Sequence, residues 1–138
     1  MIDLYLSGYG YSKKLCREVI EWFSCEFLQD YDIELEVLHR GMKREGAYGY
    51  CDISGETENP KEFLIEIDTY LDKEIYIKTI IHEMYHLLQW VQGELKLKSC
   101  KRYFRGECVE DLDYREQPHE IHARFYENVL YRRFLSRH

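Results

Sequence analysis

Apolar and polar positions alternate in some stretches of this chain and recur every three or four residues in others. The first stretch, "IDLYL", reads as a short strand. Ser12 can then cap a helix running to about Leu28, with Leu15, Val19, Phe23 and Phe27 at helical spacing. "DIELEVL" alternates, with Ile33, Leu35 and Val37 on one side and acids on the other, the pattern of a half-buried strand. "HRGMKREG" is polar with two glycines and predicts a turn. "AYGYCDI" then reads as the returning strand of a hairpin. "ENPKEF" predicts a loop, and "FLIEIDTY" is another alternating strand, with Phe63, Ile65 and Ile67 on one face.

A long helix is expected from about 72 to 92, with Gly93 as its C-terminal stop. Residues 94–117 read as irregular and charged, and Pro118 suits the first turn of a last helix running toward Leu135. The order is strand, helix, several strands, helix, helix. That predicts the α+β class, with a small mixed or antiparallel sheet packed on helices.

A length of 138 residues points to one domain with a single core, spanning 1–138. The net charge is −7 and no long basic patch stands out, which disfavours nucleic acid as a partner. No apolar run approaches the ~20 residues that cross a bilayer. The start, "MIDLYLSGYG", carries an early acid and no basic segment, unlike a secretory leader. The 5 cysteines are odd in number and form no CxxC, so reduced thiols in a cytoplasmic, intracellular protein are expected.

Chemistry concentrates in "IIHEMYHLLQW", residues 80–90. The apolar face of this helix is Ile77, Ile80, Ile81, Met84, Leu87, Leu88 and Val91. At ~100° per residue, His82 and His86 fall nearly opposite its middle, beside Ile75 and Thr79. Residues i and i+4 are neighbours on a helix surface, so both imidazoles can reach one ion, with Glu83 turned beside them. By chance such a motif arises about a few times per thousand chains of this length.

"HEMYH" resembles the HExxH helix of the zincin metallopeptidases. That resemblance implies one Zn²⁺ ion held by His82 and His86, with Glu83 as the catalytic general base. The metzincin extension is excluded, because Gln89 and Gln92 stand where it needs Gly and His. "QPHEIHAR", residues 117–124, is similar to the P-x-E-I-E-A segment of small, often phage-encoded, SprT-like proteins and to the E-x-x-A signature of gluzincins. It implies Glu120 as the third ligand. His122 stands where those proteins carry a second glutamate, and it is the alternative. Glu120 and His122 are ~200° apart on a helix, so one points away when the other points in. The expected apolar face of this helix (Phe125, Tyr126, Val129, Leu130, Phe134) lies nearer His122. His119 is a weaker third candidate.

The resemblance implies a peptide or protein substrate. The strand near 62–69 is then expected to border the cleft as an edge. Tyr114, Tyr103 and His119 are candidates to steady an oxyanion, and Asp111 and Asp113 to orient a ligand histidine. A zincin-like metal-binding module acting through a protein partner, without useful catalysis, is the alternative function.

Overall fold

We describe residues 1–137 of the protein from a computed structural model. The elements are β1 (Ile2–Gly8), α1 (Lys13–Phe27), β2 (Ile33–Arg40), β3 (Gly49–Ile53), β4 (Glu62–Asp68), α2 (Lys73–Val91), β5 (Leu95–Lys98), β6 (Lys101–Phe104), β7 (Glu107–Cys108) and α3 (Pro118–Leu135). Single 3₁₀ turns sit at Lys43–Glu45 and Tyr114–Glu116. The class is α+β, with two small sheets and, among the described residues, three α-helices.

The helix starts follow local chemistry. Ser12 caps α1 by accepting from the Leu15 amide at 3.1 Å, and Asp72 caps α2 by accepting from the Ile75 amide at 3.0 Å. Helix α2 ends at Gln92, and Gly93 follows at φ +79°, the left-handed turn that glycine adopts without a Cβ penalty. Pro118 opens α3, where a missing amide hydrogen costs nothing.

The main sheet has the order β1-β2-β4-β3. Strands β1, β2 and β4 run parallel, and β3 runs antiparallel to β4. The expected β2–β3 hairpin is therefore wrong: β4 lies between them. Strand β4 buries Phe63, Ile65 and Ile67 and takes a ladder on each edge. Strand β3 is shorter and leaves Tyr50 and Asp52 exposed, which suits the rim of a sheet. Strand β4 is consequently not the free edge; β3 is. Residues 94–117 are not irregular throughout either, because β5, β6 and β7 form a second antiparallel sheet.

One face of the main sheet is covered by helices. Leu35, Val37, Phe63, Ile65 and Ile67 meet Val19, Ile20 and Phe23 of α1 and Ile77, Ile80, Ile81, Met84 and Leu87 of α2. Each such side chain contributes about 1.5–3 kcal/mol on burial. Leu130 and Phe134 of α3 join the same core. The expected apolar face of α3 is displaced: Phe125, Tyr126 and Val129 are exposed. Its inward stripe is Glu120, Ala123, Glu127, Leu130 and Phe134, and the two carboxylates hide it from a hydrophobicity pattern. Helix α2 is thus enclosed on both sides, by the sheet and α1 along its apolar face, and by β3 and α3 along the histidine face.

Candidate metal centre

A cavity of about 640 Å³ lies between the edge strand β3, helix α2 and the start of α3. Its walls include Tyr48, Gly49 and Cys51 from the β3 side, and His82, Glu83 and His86 from α2. Tyr114, His119, Glu120 and Glu127 close the α3 side, with Arg102 from β6 at one end. Gly49 permits this closeness. A Cβ there would stand 2.9 Å from Thr79 Cγ2 and 3.2 Å from Glu83 Cγ, so only a bare backbone can lie so near α2.

His82, His86 and Glu120 are all buried, and each offers a ligand atom within one small sphere. The Nε2 atoms of His82 and His86 lie 3.0 Å each from Glu120 Oε1, and 3.2 Å from one another. Ligands at ~2.0–2.1 Å from a tetrahedral ion stand roughly 3.3 Å apart. The group could hold a metal ion.

The outer partners fix which nitrogen of each ring is bare. The Nδ1–H of His82 donates to Glu127 Oε1 at 2.8 Å, because a carboxylate only accepts. Gln89 Nε2 donates to the backbone carbonyl of His119 at 3.1 Å, which turns Gln89 Oε1 toward His86. The Nδ1–H of His86 donates to that oxygen at 2.8 Å. Both Nε2 atoms therefore carry lone pairs when the rings are neutral, and both face a carboxylate oxygen. Three acceptors converge with no hydrogen among them. Either a proton or a cation must enter to relieve the repulsion.

Without a metal, the proton goes to His82. Burial opposes its charging, but the carboxylates of Glu120 and Glu127 on its two nitrogens outweigh burial and push its pKa up to about 10. Burial likewise opposes ionisation of Glu120, yet the His82 and His86 rings beside it, with the added proton on His82, hold it well below the usual carboxylate range. The hydroxyl of Tyr114 donates to the same Glu120 Oε1 at 3.0 Å. Glu83 is buried beside the cluster and makes no hydrogen bond within the described residues. Its pKa is raised by that burial, against the pull of His86 and His82.

The structure brings His82, Glu83, His86, Glu120, Tyr114 and His119 to one cavity. It does not bring His122 there. That ring is half-buried and packs edge-on against Phe104, with centroids 5.4 Å apart. Of the two alternatives at this turn of α3, Glu120 is the one that meets the histidines. Tyr103 lies outside the cavity, its ring beneath the Lys98 ammonium. Asp111 and Asp113 are exposed, and the histidines are oriented by Glu127 and Gln89 instead. Sequence reasoning missed both. Glu127 sits two turns beyond Glu120 on the same side of α3, and Gln89 one turn beyond His86, so helical spacing alone could have nominated them.

Compared with protein-family models, curated proteins and solved structures, the chain gives no significant match to any of them. No described helix is long and apolar enough to cross a membrane.

Proposed function

We propose that this protein is a zinc-dependent metallopeptidase that hydrolyses peptide bonds with Glu83 as general base. The observation that carries this reading is the convergence of two bare imidazole nitrogens and one carboxylate oxygen beside a buried, unengaged glutamate. Two imidazoles and one carboxylate also suit ferrous iron. Glu83 favours zinc, because hydrolysis needs a base in that place and dioxygen chemistry does not.

When bound, the divalent cation supplies Lewis acidity, which moves the pKa of a coordinated water from 15.7 toward about 7 and polarises the scissile carbonyl. Glu83 accepts the proton that the attacking water loses, then passes it to the leaving amine nitrogen as the carbon–nitrogen bond breaks. Its raised pKa suits both halves of that task, since a base nearer the working pH also returns its proton readily. Glu127 and Gln89 hold the histidines in the tautomers that present Nε2 inward. Tyr114 keeps Glu120 aimed at them. Strand β3 is paired only on its β4 side and flanks the cavity, so an extended peptide can bind along it by strand addition.

The test is cleavage of casein and of fluorogenic peptides by zinc-loaded protein. Activity is expected to vanish with a chelator and return with zinc. Glu83→Gln should lower turnover about 10²–10⁴-fold while metal content stays at the wild-type level. Full activity in Glu83→Gln rules the mechanism out.

A further inference from the structure

One buried group in the cavity is engaged by nothing in the protein. His119 is 2% exposed, and neither of its ring nitrogens has a hydrogen-bond partner within the described residues. Burying an imidazole without partners costs free energy, so such groups are found where something else supplies the partner. The ring is held still. Its backbone carbonyl is fixed by Gln89, and its centroid lies 5.6 Å from that of His86 and 6.0 Å from that of Phe104. Its Nε2 is 3.9 Å from Glu120 Oε2, beyond hydrogen-bond reach, and that oxygen is not the one the two ligand histidines approach.

Three further side-chain donors of the lining are engaged or exposed. Tyr114 gives its hydroxyl hydrogen to Glu120 Oε1. Arg124 donates to the Arg115 carbonyl at 2.8 Å and lies over the Tyr114 ring. Arg102 is half exposed and solvated. His119 is a buried lining side chain whose two ring nitrogens both have no partner within the described residues.

We propose that His119 is the recognition donor of the cleft, hydrogen-bonding one oxygen of a two-oxygen group whose other oxygen occupies the open position of the metal. The ligand class is the carboxylate, and the carbonyl carbon as it becomes tetrahedral with two oxygens. The turn of α3 that gives Glu120 to the metal thereby gives the adjacent residue to the ligand. This rests on the reading of the site as a metal centre, and the experiment separates the two.

Wild type, His119→Gln and His119→Phe are loaded with cobalt(II), and metal content is measured first. Phe fills the space against Phe104 without a donor; Gln keeps an N–H. Acetate and ethanethiol are then titrated against the visible cobalt absorption. Ethanethiol reaches the metal through sulfur and offers His119 no oxygen. All three proteins are expected to hold one ion per chain. His119→Phe should bind acetate about 10- to 100-fold more weakly, with His119→Gln in between, since a hydrogen bond to a charged group is lost. Ethanethiol affinity should move less than threefold. Unchanged acetate binding in His119→Phe overturns the proposal, as does an equal loss for both ligands. Loss of metal from a folded His119 variant also overturns it, by making His119 a ligand. A wild type that takes up no cobalt fails at the first step, and there the metal reading itself has failed.

Discussion

Removing Glu127 tests whether the histidines are held by design. In Glu127→Ala the Nδ1–H of His82 loses a charged acceptor at 2.8 Å, on a side chain that is only 23% exposed. Two things follow. The ring is free to place its hydrogen on Nε2, where it blocks the metal, and the imidazole loses the negative neighbour that raises its basicity. Outer partners of this kind are worth roughly 10–100-fold in metal affinity, or about 1.4–2.7 kcal/mol. A charge-assisted hydrogen bond at this burial falls in the same range. Glu127→Gln keeps an acceptor oxygen near Nδ1 and loses only the charge, so it should weaken binding by less than about tenfold. The assay is competition for zinc against a chromogenic chelator at pH 7.5, with Glu36→Gln as an exposed-acid control for lost net charge. Affinity within twofold of wild type in Glu127→Ala refutes the claim that this contact sets the tautomer.

Other consequences can be measured on the same protein. In metal-free protein, His82 has a folded pKa raised to about 10 against about 6.5 unfolded. Its contribution to stability is therefore complete below about pH 6.5 and is lost as pH rises toward 10. Melting temperature should fall from pH 7 to 9.5 in chelated wild type and stay flatter in His82→Gln. With zinc bound the trend should reverse, because the ligands must be unprotonated to bind; parallel curves with and without metal contradict this. Gly49→Ala forces a methyl against Thr79 Cγ2, Glu83 and the Glu66 carbonyl, so β3 must move off α2. Chemical denaturation should show a loss of about 1–3 kcal/mol, and wild-type stability would mean that the strand does not sit so close. His122→Ala should leave zinc affinity unchanged, because that ring meets Phe104 and not the cluster.

What the sequence made legible was local. Ser12, Asp72, Gly93 and Pro118 mark helix ends through interactions within a few residues, and His82, Glu83 and His86 share one turn of one helix. Strand order was not legible, because pairing joins segments far apart. Residues 33–40 and 49–53 are sequence neighbours across a polar turn, yet both bond to β4, which comes later in the chain. The inward stripe of α3 was missed because Glu120 and Glu127 occupy its first and third turns and read as solvent-facing. The unsatisfied state of His119 has no sequence signature, since it depends on Phe104 of β6 and His86 and Gln89 of α2 arriving beside it.

The central claim is that one divalent ion is shared by His82, His86 and Glu120. Metal analysis of protein purified without a histidine tag addresses it most directly, with wild type beside His82→Ala, Glu120→Ala and His122→Ala. One zinc per chain in wild type and His122→Ala, and little or none in the other two, is the expected result. A wild type empty of metal after growth in zinc, or equal occupancy in all four proteins, contradicts it.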